Sequence, residues 1–270
     1  MKNQLPWQLS AFDRTLKKRI KAGLIKDRLG DLSGAQCLLV TCGENNGAIN
    51  YHLRQGGGSW TWAEFETVAI DDMEQLLAEP VLRLNKDRPS LPLESDTFDV
   101  VIALDAHEHL RDPDLFTEEI ARVTKPDGRA IVSVPSANSG MLVSRIKRAA
   151  GMPESLYGHL VPGYEIAELQ EMLSRAGLRP YFGRYYSKFF TELLELFLNL
   201  AYVKVFSKKS SDGPSEETVA PTTRDQMNRI SGGMRIYGLI YPIFRLISAL
   251  DALLPTSRGY AALVEATKDS

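Results

Sequence analysis

A chain of 270 residues with 44% apolar and 24% charged residues has the make-up of a globular protein of one large or two small domains, which excludes collagen-like, wholly disordered and multi-pass membrane classes. A net charge of −2 argues against a partner held mainly through nucleic-acid phosphates. Two cysteines, Cys37 and Cys42, cannot staple a fold of this size, and the opening residues carry no apolar h-region, so a cytoplasmic location is expected.

The charge is unevenly placed. Residues 1–30 carry a net +6, which leaves −8 for the rest. Leu16, Ile20 and Leu24 recur at i, i+4 and i+8, the spacing of an amphipathic helix with a basic face. Such a helix either packs its stripe on the main domain or attaches to an anionic membrane or acidic ligand.

From residue 36 apolar runs alternate with helical patterns. Strands are predicted at 36–41, 59–65, 81–85, 98–104 and 129–135, and helices at 48–55, 71–79, 113–124 and 163–177. Asp112 followed by Pro113 reads as an N-cap and first helical residue. Gly177 stops the helix before it. Beyond Arg184 the alternation ends: 189–206 is a strongly apolar helix, 207–226 is polar and rich in Ser, Thr and Pro, and 234–254 is a second apolar helical region kinked or broken by Pro242. Residues 259–268 read as a closing strand. This alternation predicts a Rossmann-like doubly wound α/β fold, with ligands at the carboxyl ends of the strands. The candidate loops are 42–47, 64–72, 85–92 and 104–112.

Three signals fall in those loops. Gly43-Glu44-Asn45-Asn46-Gly47 joins a strand to a helix, where small residues let backbone approach a ligand. It has neither the G-x-G-x-x-G nor the G-K-[ST] spacing, and a tight turn without a ligand uses the same residues. Glu64 follows about 20 residues later, at a strand end where a carboxylate can accept both hydroxyls of a ribose. The third signal is an ordered series: Asp87, then Leu91-Pro92, then Ser95-Asp96-Thr97-Phe98-Asp99-Val100-Val101, then His107-Glu108-His109-Leu110-Arg111-Asp112-Pro113, then Arg122-Val123-Thr124-Lys125-Pro126-Asp127-Gly128.

In that order and spacing the sequence resembles the class I S-adenosylmethionine-dependent methyltransferases, in the broad group called type 11. The resemblance runs from about Cys37 to Val134 and implies a mostly parallel seven-stranded sheet with a helical insertion before its last strand. It implies S-adenosylmethionine as cofactor, with Gly43, Glu44, Asn45 and Gly47 cradling the methionine part and Glu64 holding the ribose. Phe65 would lie beside the adenine, Asp87 would accept from its amino group, and Arg88 would add a backbone N–H. Leu104 and Asp105 would end the fourth strand beside the sulfonium. His109, His107 and Asp105 are the catalytic candidates at that point, the two histidines as general bases, and the histidine spacing fits no metal motif, so no metal is expected.

The sequence departs from the family at the first turn. The usual acidic residue of the first strand is Leu39, Thr41 stands where the first turn glycine is usual, and G-x-G becomes Gly43-Glu44-Asn45. Two rivals follow: a methyltransferase fold that binds without catalysing, and a nicotinamide-dependent oxidoreductase, which the glycine spacing disfavours. The expected organisation is a basic helical segment at 1–33, a core at 34–187, a helical insertion at 188–257 with a mobile loop at 207–229, and a final strand with tail at 258–270. The methyl acceptor is a small molecule, a glycan or a lipid-linked group, with oxygen preferred. No nucleic-acid partner is expected. Residues 14–28 and 189–254 offer a peripheral contact with the inner face of a membrane.

Overall fold

Short apolar runs bounded by turn residues set seven strands: β1 (Gln36–Thr41), β2 (Ser59–Glu64), β3 (Val81–Arg83), β4 (Phe98–Leu104), β5 (Thr124–Pro135), β6 (Leu178–Tyr186) and β7 (Ala261–Lys268). In the computed structural model, which describes residues 5–43, 46–137, 141–150, 158–207, 231–254 and 258–270, they form one sheet in the order β3-β2-β1-β4-β5-β7-β6. Neighbours from β3 to β5 are parallel, and β7 runs antiparallel between β5 and β6. The expected doubly wound sheet is therefore present, with the helical insertion leading into its last strand. Both faces are covered, so the inner strands are apolar at successive positions. Leu38, Val40, Val101 and Val132 face one buried cluster, and Cys37, Leu39, Ile102 and Ile131 face the other.

The helices are α1 (Trp7–Phe12), α2 (Leu16–Leu29), α3 (Ala48–Arg54), α4 (Thr67–Leu77), α5 (Pro113–Val123), α6 (Leu142–Ala149), α7 (Ile166–Arg175), α8 (Phe189–Ser207) and α9 (Ser231–Ala249). Asp112 caps α5 as its residues predict, accepting from the Leu115 N–H at 3.0 Å. The sequence pattern did not reveal α1 or α6, and α4 starts four residues before the acidic pair that had marked its beginning. α9 continues through Pro242 rather than ending there. The Ser-, Thr- and Pro-rich stretch read as a loop at 207–226, within the loop expected at 207–229, lies outside the described residues from 208 on, and Ser207 ends α8.

α2 corrects the reading of its basic face. Leu16, Ala22, Ile25 and Leu29 are its buried apolar residues, and Lys21 is buried among them. Lys17 pairs with Glu192 at 3.3 Å and Arg28 with Glu265 at 2.7 Å, Arg28 also lying over the Phe182 ring. Of the cations counted in the basic face, Lys21 is thus buried and Lys17 and Arg28 are half-buried in ion pairs, while Arg19 and Lys26 remain exposed.

The start of α8 is held from a distant part of the chain. The Asp251 carboxylate accepts from the backbone N–H groups of Lys188, Phe190 and Thr191, and Thr191 shares a 2.6 Å hydroxyl contact with Ser248. One turn on, buried Glu192 pairs with Lys17 of α2 and Lys147 of α6. Glu192 loses solvation on burial, but the two lysines more than offset that and pull its carboxyl down from 4.5 to about 2. A carboxyl depressed on folding contributes stability that is complete above its unfolded value and lost as pH falls through its folded value. Stability is therefore expected to drop between about pH 4.5 and pH 2, and Glu192→Gln should flatten that part of the curve. Urea midpoints measured across this window check it, and parallel curves for the two proteins would contradict the pairing. Neighbouring Glu195 is pushed up by burial and by the Glu192 charge, so its contribution, and the change that Glu192→Gln makes to it, fall above pH 4.5 and outside this window.

Candidate active site

The strand register lines up one edge of the sheet. Arg83, Glu64, Thr41, Leu104 and Ser133 are successive partners across β3, β2, β1, β4 and β5, so the strands end together. The chain leaves β1 toward β2 on one side and reaches β4 on the other, which makes the β1/β4 boundary the switch point where such sheets open a crevice.

Glu64 is the organiser of that edge. Its side chain is buried, with 1% of the residue exposed. One carboxylate oxygen accepts from the Thr41 hydroxyl at 2.6 Å, and the other from the backbone N–H groups of Gly43 at 2.9 Å and Glu66 at 2.7 Å. Burial pushes the carboxyl up, and the three donors oppose that shift. A carboxylate has about four acceptor positions, so one remains for a ligand hydroxyl. Thr41, which replaces a glycine of the family pattern, thus supplies a donor for Glu64. Gly43 and Gly47 have φ of +68° and +87°, and Asn46 between them has φ of +48°. Glu44 and Asn45 lie outside the described residues.

The loop after β3 brings the next group. Arg122 of α5 donates to the carbonyls of Leu91 and Leu93 at 2.9 and 2.8 Å, and Glu119 accepts from the Leu91 N–H at 2.7 Å. This fixes the Leu-Pro segment and the exposed Asp87 and Arg88 ahead of it. Asp87 pairs with Arg111 at 3.2 Å, both largely in water, a contact weak enough to yield to a ligand. Lys86 reaches Glu66 at 2.7 Å, tying this loop to the one after β2. Phe65 does not present an open ring at the site: it is buried edge-to-face against Phe116, with centroids 5.3 Å apart. Its apolar side chain has joined the core beneath the loop.

At the end of β4 the three catalytic candidates part company. Leu104 is buried, so only its backbone faces the edge. Asp105 has φ of +47°, its N–H donates to Ser133 at 2.8 Å, and its carboxylate is ion-paired with buried Lys21 of α2. Lys21, read as a surface cation, is therefore a part of the site that sequence reasoning missed. His107 is 1% exposed, with Nε2 on the Thr117 hydroxyl at 3.2 Å and its ring against Phe116. Burial lowers it to about 4. It is a core histidine, which corrects its reading as a base. His109 keeps partial access, and its Nδ1 lies 3.0 Å from the Gly158 carbonyl. Burial, more than the carbonyl contact offsets, lowers it to about 4 as well.

Residues 38–132 match the family model described as a methyltransferase domain. A protein of Mycobacterium ulcerans (strain Agy99), named "Probable phthiotriol/phenolphthiotriol dimycocerosates methyltransferase 2", is 30% identical over 151 residues, 55% of this chain and 48% of that one. The match thus spans about half the length of that curated relative. Two solved structures share the fold: a phosphoethanolamine N-methyltransferase of Haemonchus contortus (TM-score 0.56, 16% identity, covering 93% of this chain and 53% of that one) and a geranyl diphosphate C-methyltransferase of Streptomyces coelicolor A3(2) (TM-score 0.53, 11% identity, 93% and 76%), both complexed with S-adenosylhomocysteine. With the sheet order, the β1/β4 crevice and the ordered loop residues already in place, the chain carries a methyltransferase-domain match over residues 38–132 and shares the fold of the class I S-adenosylmethionine-dependent methyltransferases.

Proposed function

We propose that the protein transfers a methyl group from S-adenosylmethionine to a lipid or lipid-linked acceptor, with oxygen as the preferred accepting atom. The residues present fit the cofactor: Glu64 keeps an acceptor position at the strand edge, and exposed Asp87 stands on the loop where an adenine amino group would be met. Bound there, S-adenosylmethionine supplies an already activated methyl group, so the protein's work is mainly alignment. Gly43 and Gly47 shape the turn, Glu64 holds it, and the Arg122-pinned loop carries Asp87. Asp105, fixed by Lys21 at the end of β4, sets the backbone beside the methyl position. His109 is the one of the two histidines that keeps partial access at that end.

The observation that carries the lipid reading is the outer face of α9 and of the 3-10 turn Leu250–Leu253 that follows it. Leu239, Leu246 and Leu253 are 81%, 72% and 73% exposed, and Ile243 and Leu250 complete a stripe at helical spacing. Such a face in water marks a lipid or partner surface rather than a core. Arg19 of α2 lies over the Tyr241 ring at 6.0 Å, which places a cation beside the stripe. No helix among the described residues is long and apolar enough to cross a membrane. The curated relative, whose name gives it as a probable methyltransferase of phthiotriol/phenolphthiotriol dimycocerosates, supports the same class.

Co-sedimentation with anionic and neutral liposomes at two salt concentrations tests the surface. The expected result is binding to anionic liposomes that survives added salt in part, and at least about tenfold weaker binding for Leu246→Asp with Leu253→Asp. Protein that stays in the supernatant with both liposome types would end the lipid reading. Labelled S-adenosylmethionine incubated with a lipid extract then tests transfer, label in the organic phase being the expected outcome.

A further inference from the structure

The 3-10 turn His107–His109 and the segment before α7 are far apart in sequence but locked together by backbone. The Leu160 and Val161 N–H groups donate to the Glu108 carbonyl at 2.8 and 3.4 Å, and the Tyr164 N–H donates to the Pro135 carbonyl at 2.9 Å. This docking sets the His159 ring perpendicular to that of His109, with centroids 4.8 Å apart. One ligand atom from each of Glu108, His109 and His159 then lies within 4.8 Å of the others. Glu108 is fully buried, and the two imidazoles are partly covered.

We propose that Glu108, His109 and His159 form a mononuclear site for a divalent first-row transition cation, whose open positions take an oxygen of the acceptor. A carboxylate with two imidazoles is a donor set for Zn²⁺, Fe²⁺ or Co²⁺ rather than Ca²⁺ or Mg²⁺. The orientation of His109 fits the role. A carbonyl only accepts, so the contact with Gly158 puts the proton on Nδ1 and leaves the lone pair on Nε2, the arrangement by which a backbone carbonyl orients a metal-bound histidine. Three ligands leave a position open, where a cation can bind and polarise an acceptor oxygen. Glu108 and His109 follow Asp105 within a few residues, in the 3-10 turn after β4. The acceptor role rests on the methyl-transfer reading; cation binding does not.

Calorimetric titration of the full chain with Zn²⁺, repeated with Co²⁺ under visible absorption, tests the site. The expected result is one cation per chain, with ligand-field bands for Co²⁺ and affinity at least about 100-fold weaker in His159→Ala and in Glu108→Gln. His159 sits in a partly exposed segment, so that variant keeps its fold, which circular dichroism verifies. The absence of stoichiometric binding, or unchanged affinity in folded His159→Ala, would overturn the proposal. S-adenosylhomocysteine titrated into the same sample separates the two readings: cofactor binding without Zn²⁺ binding removes only the metal site. Zn²⁺ binding without cofactor binding retains the metal site and removes the acceptor role.

Discussion

Glu64→Ala is expected to weaken S-adenosylhomocysteine binding by about 1.5–3 kcal/mol, or roughly 10- to 150-fold, as measured by calorimetry. The loss has two sources. The fourth acceptor position on the carboxylate goes, and the Gly43 and Glu66 N–H groups are left without the acceptor that holds the turn after β1. Glu64→Gln separates them. The amide keeps an oxygen for one part of the turn but turns an acceptor into a donor facing either Thr41 or the backbone N–H pair, so an intermediate loss is expected. Unchanged affinity in Glu64→Ala would remove Glu64 from the cofactor site.

Gly163→Ala is expected to cost more stability than any surface change in the protein. A Cβ at Gly163 would stand 2.1 Å from the Pro135 carbonyl oxygen, and the φ of +136° is one that L side chains rarely adopt. The obstacle is backbone at the end of β5, so no side-chain rotation relieves it. A loss of about 4 kcal/mol or more, roughly 10 °C in Tm, is expected in thermal unfolding. Gly177→Ala is the control, because its φ of +86° is also positive but nothing lies within 4 Å of the added atom. It should cost only about 1 kcal/mol. Equal effects of the two substitutions would show that conformation rather than the Pro135 contact sets the cost.

Much of the fold is legible because burial on both faces writes an unmistakable pattern. Cys37–Val40 and Val100–Leu104 are apolar at every position, and the Asp112-Pro113 start of α5 is a local signal with a local cause. The site's outline was legible for the same reason, since Glu64, Asp87 and Asp105 fall at or just beyond strand ends. What the sequence hid depends on partners far away in the chain. Lys21 looks like its exposed neighbours until Asp105 is placed beside it, 84 residues on. His107 and His109 look equivalent, but the 3-10 turn sends one ring to Thr117 in the core and the other toward Gly158. Phe65 follows a strand end as an adenine-facing residue would, and only its packing on Phe116 shows that it belongs to the core. The grouping of Glu108 and His109 with His159 leaves no spacing signal, because backbone hydrogen bonds between two loops create it.

Titration of the wild-type protein with S-adenosylhomocysteine, alongside NADH, tests most directly whether the β1/β4 crevice serves a methyltransferase. One equivalent of S-adenosylhomocysteine should bind with heat that saturates, and NADH should give none. A chain that binds NADH instead, or that binds neither ligand, would contradict the assignment of this crevice to S-adenosylmethionine.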